Sequence, residues 1–324
     1  MEIYQHTLKK SVNFCGVGLH TGAPVQLTIS PARANSGIRF KLKGNDTSMP
    51  AYMNRVVDTQ LATTIADKDL VFSTTEHLLG ALSGLGIDNA LVELDAPELP
   101  IMDGSAGPFV HILKNISRKE QKSSRRILKI TEEIIYRDGD KEIRVLPHDG
   151  LKLTCTIDFA HDLIQSQTYT VDLSPETFIK EIASARTFGF MEQVEKLQEN
   201  GYALGGSLDN AVVIDRDGVV NEEGLRFADE FVRHKILDLI GDLALLGCPL
   251  FGHVIATKAG HGQHLGLMQE IAAHPEKWQI VELQKNGESG MLEKLANNTK
   301  SASSKLLPFL AAPTDFSGRC PAVA

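Results

Sequence analysis

The sequence predicts an α+β fold made of a duplicated unit, on three observations. Each half opens with strands punctuated by glycine and later delivers one helix followed by an apolar strand. A length of 324 residues suits two domains. The regular strand–helix alternation of a doubly wound parallel sheet is missing.

In the first half the expected helix runs from Thr74 to Leu85 and its strand from Ala90 to Leu94. In the second they run from Asp229 to Leu246 and from Leu250 to Ala256. A further helix is expected over Pro108 to Lys114, and a strand-like run over Ile127 to Tyr136. Between these two lies Asn115 to Arg126, which holds five Lys/Arg and Ile116 as its one apolar residue, and so reads as a surface connection and domain boundary. The expected division is a first domain over 1–120, a second over 127–295 and a loosely ordered tail over 296–324, in which the apolar patch Leu306 to Leu310 is a docking candidate.

Composition narrows the function. Apolar residues make up 42% and charged residues 23%, which excludes wholesale disorder. The net charge of −8 argues against general nucleic-acid binding, which needs Lys and Arg to neutralise phosphates. Cysteines at 15, 155, 248 and 320 form no CxxC pair, as expected of reduced thiols in the cytoplasm. The opening MEIYQHTLKK shows no signal-peptide pattern. The apolar run Ile236 to Ala256 carries Asp238, Asp242 and His253 and a Gly247-Cys248-Pro249 break, so it reads as buried helix and strand rather than membrane span.

Three histidines keep unusual company: His77 behind Glu76, His234 four residues before Asp238, and His261 between two glycines. Residues i and i+4 share a helix face, so His234 and Asp238 can converge on one cation, with Asp242 a turn further along. Two carboxylates on a largely apolar helix are costly to bury unless paired or metal-bound. His77 would complete a set of two histidines and one carboxylate, the donor set of a catalytic zinc, with Glu76 as general base. Plainer readings stand beside these: an ordinary helix-surface hydrogen bond for His234 and Asp238, and a capping box for Ser73-Thr74-Thr75-Glu76. Gly16 to Gly22 lacks the third glycine and the strand–helix setting of a dinucleotide fingerprint. Asp103-Gly104-Ser105 reads as a tight turn, and Gly205-Gly206-Ser207 as a turn or a close backbone approach.

The segments TEHLLGALSGLGIDN (75–89), PIMDGSAGPFV (100–110), ARTFGF (185–190), GGSLDNA (205–211), GLRFADEFVRHKILDLIGDL (224–243) and KAGH (258–261) together closely resemble the UDP-3-O-acyl-N-acetylglucosamine deacetylases, zinc amidases of lipid A synthesis in Gram-negative bacteria. The likeness runs from about residue 2 to about 285. It implies two similar α+β domains, each a sheet against a pair of helices, with the active site between them. It also implies a small insert in each, near 35–70 and 190–205. The zinc ligands fall on His77, His234 and Asp238, with iron(II) the alternative metal, and the general base on Glu76. Thr187, Lys235, Asp242 and His261 match the other catalytic positions. Lys235, Lys258 and Lys141 match cations for the substrate diphosphate, and Phe159 matches the aromatic beside the uridine. The acyl chain needs an apolar passage, for which Phe190, Met191, Val194, Leu197, Tyr202 and Leu204 recur at suitable spacings, a stripe that would otherwise read as an amphipathic helix packing on the core, while Gly206 is a candidate for close backbone approach to the substrate. Ala62 stands where some members carry a cysteine. The implied partner is UDP-3-O-acyl-N-acetylglucosamine, met by a cytoplasmic monomer with at most peripheral contact with the inner membrane. Another zinc amidohydrolase or peptidase with the same donor set is the alternative.

Overall fold

The computed structural model describes residues 2–161, 164–285 and 291–295, so the expectations for the tail fall outside the described residues. The α+β expectation holds. A five-stranded sheet has the order Val12–Val17, Pro24–Pro31, Ala90–Leu94, Ile38–Leu42, Met49–Pro50. Its strands alternate as half-buried strands must: Val25, Leu27 and Ile29 are buried between exposed or half-buried neighbours. In a larger sheet, the run Ile134–Asp138, Lys141–Leu146, Leu250–Thr257, Leu151–Asp158, Ser166–Asp172 repeats that order. The repeat extends to direction. Ala90–Leu94 runs antiparallel to Pro24–Pro31 and parallel to Ile38–Leu42, while Leu250–Thr257 runs antiparallel to Lys141–Leu146 and parallel to Leu151–Asp158. Arg126–Ile130, Trp278–Lys285 and Met291–Leu295 extend the larger sheet.

The helices are α1 (Glu76–Gly84), α2 (Gly107–Ile116), a single turn α3 (Pro175–Thr177), α4 (Met191–Glu199), α5 (Glu230–Leu243) and α6 (His261–Ala273). In each repeat the order is helix, central strand, helix: α1 and α2 flank Ala90–Leu94, and α5 and α6 flank Leu250–Thr257. Helices α1 and α5 cross at two glycines. A Cβ on Gly241 would sit 2.0 Å from the Glu76 carbonyl oxygen, and one on Gly80 would sit 2.9 Å from Leu237 Cδ1. Only hydrogen in place of a side chain permits this approach. It sets the first turn of α1 against the middle of α5.

Several local expectations change. Asn115 to Arg126 is not a loop: Arg118–Ser124 is a strand paired antiparallel with Tyr4–Leu8. Its polarity serves pairing, since Arg118 binds Glu2 and the Leu85 carbonyl, and Gln121 accepts from Asn89 and donates to the Ala32 carbonyl. The run Ile127 to Tyr136 divides into two strands, Arg126–Ile130 and Ile134–Asp138. The first insert begins later than expected, because Ile38–Leu42 belongs to the main sheet and the separate three-stranded sheet is Val56–Asp58, Thr64–Asp67, Leu70–Phe72. The second centres on α4 between the parallel pair Phe188–Phe190 and Val212–Ile214. The Asp103 turn forms, with its Oδ1 accepting from the Ser105 amide and hydroxyl. No helix among the described residues is long and apolar enough to cross a membrane.

Candidate metal centre and active site

The α1–α5 crossing joins His77 with His234 and Asp238, and one donor atom from each lies within 4.8 Å of the others. His234 Nε2 is 3.4 Å and His77 Nε2 3.5 Å from Asp238 Oδ1. The two rings stand edge to face with centroids 5.0 Å apart. The Ala185 carbonyl accepts from His234 Nδ1 at 3.0 Å, which leaves the Nε2 lone pair facing the carboxylate. Burial drives the His234 pKa down to about 3, so the ring is neutral, the form that coordinates. Burial opposes the Asp238 charge, yet His234 and Lys235 outweigh it and hold the carboxyl well below its ordinary range. His234 and Asp238 are each 2% exposed, which ends the reading of a helix-surface pair. Two imidazoles and one carboxylate in a buried cluster fit a divalent cation.

Glu76 heads α1 without capping it. The N-cap is Thr75, in helical conformation with no side-chain capping bond. Glu76 Oε2 instead accepts from the Thr63 amide at 3.1 Å, and burial raises its pKa. Thr63 also donates its hydroxyl to Asp242 Oδ1 at 2.6 Å. The other Asp242 oxygen lies 2.7 Å from His261 Nδ1 and 2.7 Å from His264 Nδ1. Burial pulls the His261 pKa down, but the Asp242 charge and hydrogen bond prevail and lift it to about 9. Burial pushes Asp242 up, and the two histidines more than reverse this, to about 2. One donor atom from each of Asp242, His261 and His264 also lies within 4.8 Å of the others. With both Nδ1 atoms engaged by one Asp242 oxygen, the arrangement is a hydrogen-bond relay.

Thr187 lies two residues past Ala185, the residue that fixes His234. Its amide donates to the Gly104 carbonyl and its carbonyl accepts from Val212, both at 2.8 Å. Arg186 between them is 1% exposed, and its amide and Nε each bond Glu230 Oε1 at 2.9 Å. Lys235 Nζ lies 2.8 Å from Asp238 Oδ2 and 6.0 Å from the Phe188 ring centroid.

A cavity of about 600 Å³, two ring contacts away from His234, is bounded by Phe159, His161, Phe190, Met191, Ile214 and Arg216 among others. Phe159 is half-buried and meets Phe188 edge to face at 5.7 Å, and Phe188 in turn lies 6.4 Å from His234. The expected substrate residues therefore separate into groups. Phe159, Phe190 and Met191 share the cavity wall, whereas Leu204 and Gly206 sit on a loop packed against residues 18–22. That loop explains Gly205: a Cβ there would lie 2.2 Å from the Gly18 carbonyl oxygen. Lys258 is held by Asp158 at 3.0 Å and Asp140 at 3.2 Å, so its charge is already paired. Lys141 is exposed at the start of its strand.

Sequence reasoning missed Thr63, His264, Arg186 and Glu230. Only His264 carried a readable signal, three residues after His261 on one helix face. Thr63 is 179 residues from Asp242 and announces nothing locally.

Residues 5–273 match the family LpxC, UDP-3-O-acyl N-acetylglycosamine deacetylase. The UDP-3-O-acyl-N-acetylglucosamine deacetylase of Methylococcus capsulatus is 48% identical over 289 residues, covering 88% of this chain and 95% of its own. Its counterpart in an Anaeromyxobacter species is 48% identical over 279 residues, 86% of this chain and 92% of its own. That of Pseudomonas entomophila is 46% identical over 283 residues, 86% and 93%. The chain belongs to the UDP-3-O-acyl N-acetylglycosamine deacetylase family.

Proposed function

We propose that this amide hydrolase removes the acetyl group of UDP-3-O-acyl-N-acetylglucosamine, giving UDP-3-O-acyl-glucosamine and acetate for lipid A biosynthesis. The observation that carries the reading is the convergence of His77, His234 and Asp238 beside two proton carriers, Glu76 and His261, whose pKa values are both raised. His77, His234 and Asp238 would hold a divalent cation, zinc before iron(II), which when bound would polarise the acetamide carbonyl and acidify the attacking water.

The protein's own groups do the rest. Glu76 accepts the proton of the attacking water. Its raised pKa suits a base that must later release that proton, and the Thr63 amide fixes its orientation. The Thr187 hydroxyl donates to the oxyanion that forms on the carbonyl, a contribution of about 3 kcal/mol for one such donor. His261, held cationic by Asp242, protonates the departing amine. Lys235 adds positive charge beside the acetamide and one cation for the diphosphate, with Lys141 and Lys258 further along. Phe159 packs on the uridine, Phe190 and Met191 line part of the acyl path together with Leu204, and Gly206 lets the backbone approach the substrate closely. In the same reading the site lies between two domains, 1–120 and 127–295, a division supported by the repeated strand order. The enzyme works as a cytoplasmic monomer with at most peripheral contact with the inner membrane.

The test is acetate release from the full substrate compared with analogues lacking the acyl chain or the nucleotide. The reading expects kcat/KM to fall at least a hundredfold for either truncation, because remote binding energy is spent on positioning the amide. Comparable turnover of simple N-acetyl compounds or peptides would transfer the site to another class of amidohydrolase.

A further inference from the structure

Helix α6 offers two imidazoles to Asp242, and the mechanism above uses one of them. His264 is 1% exposed, and its Nδ1 lies 2.7 Å from Asp242 Oδ2, the same oxygen and the same distance as His261 Nδ1. The opposite oxygen is taken by the Thr63 hydroxyl at 2.6 Å. The other nitrogen of His264, Nε2, is buried with no hydrogen-bond partner among the described residues. A proton there would be a buried N–H without an acceptor, so the ring is neutral and carries its hydrogen on Nδ1. Burial, acting against the Asp242 carboxylate, lowers its pKa, which agrees with that form. Asp238 on α5 favours the charged form of both rings, and His261 differs because Glu76 on α1 adds its negative charge there, while the neighbouring His261 itself disfavours a charge on His264.

We propose that His264 is a positioning residue for proton transfer: a neutral Nδ1–H donor that shares Asp242 Oδ2 with His261, pins the carboxylate and tempers its hold on the His261 proton. Two consequences follow from the geometry. Three donors on two oxygens fix the Asp242 rotamer, so His261 is aimed by a carboxylate that cannot turn. Each extra donor also draws charge from the carboxylate and weakens its grip on the imidazolium. That moves the acid toward the range where it gives up its proton efficiently.

The inference rests on His261 acting as the proton donor, so the test separates the two. It uses the full-length, metal-loaded enzyme with His264→Leu and His264→Asn. The Asn side-chain nitrogen can occupy the place of Nδ1, since both are the second atom beyond Cβ. For His264→Leu the expected result is a fall in kcat of about tenfold, with KM within about twofold. The basic limb of its kcat–pH profile should move up by about half to one unit, and His264→Asn should recover most of both losses. An unchanged kcat and limb in His264→Leu, or equal losses in the two variants, would overturn the proposal. Nitrogen-15 imidazole NMR of the wild type needs no variant and stands whether or not a variant folds. A neutral His264 with Nδ1–H from about pH 6 to about pH 9 supports the assignment, and a cation or an Nε2–H tautomer overturns it. If wild type releases no acetate, the functional reading fails, while the NMR result still reports on His264 itself.

Discussion

The two repeats share a strand order and helix placement but carry unequal chemistry. In the first, α1 contributes only its opening residues, Glu76 and His77. In the second, α5 contributes from its body, with His234, Asp238 and Asp242 all buried and only Arg233 and Lys235 outside the buried set. The second helices differ as well. The start of α6 supplies His261 and His264, while the loop before α2 supplies only a backbone carbonyl, Gly104, to hold Thr187. A duplicated frame thus gives two similar surfaces, and the site forms where their helices touch. The contact is possible because Gly80 and Gly241 leave room, and α5 tolerates three buried carboxylates, Glu230, Asp238 and Asp242, because each is met by cations or donors on several sides.

The largest expected effect removes the first repeat's chemistry and leaves its fold. Glu76→Gln should lower kcat by about a hundredfold or more with metal content and thermal midpoint close to wild type. Substantial retained turnover would mean that α1 serves only as a ligand arm. Next comes the crossing itself. Gly241→Ala drives a methyl against the Glu76 backbone, so the protein should lose about 1–3 kcal/mol of stability and much of its activity together. Calorimetry beside an activity assay checks this, and a neutral outcome would show that the helices can part without harm. The smallest effect is a pH dependence assigned to α5 and α6. The His261 pKa is raised to about 9, so the stability it contributes is complete below its ordinary 6.5 and is lost as pH rises through about 9. Asp242 is lowered to about 2, so its contribution is present above its ordinary 3.8 and fades as pH falls through about 2. Thermal midpoints should therefore decline from neutral toward pH 9 and beyond, and His261→Gln should flatten that decline.

Much of this site was legible in the sequence because its signals are local. His234 and Asp238 share a face by spacing alone, and Glu76-His77 stands at a helix start. The repeat was visible as a helix followed by an apolar strand in each half, although its full five-strand correspondence required the pairing. Misreadings arose where a tertiary partner displaced a local one. Ser73 to Glu76 has the letters of a capping box, but Glu76 turns to the Thr63 amide. The stretch 118–124 has a loop's polarity, yet its backbone pairs with the chain's first strand and its side chains satisfy a polar network. Nothing local in the sequence marks Arg186, whose partner Glu230 lies 44 residues away.

In the proposed mechanism one divalent metal, held by both repeats at once, drives amide hydrolysis. Metal content and acetate release should be measured together on wild type and His234→Ala. The expected result is about one bound metal per wild-type chain, turnover of UDP-3-O-acyl-N-acetylglucosamine, and loss of both in the variant. Undiminished turnover by wild type after complete metal removal would contradict it and return His234 and Asp238 to a purely structural pair.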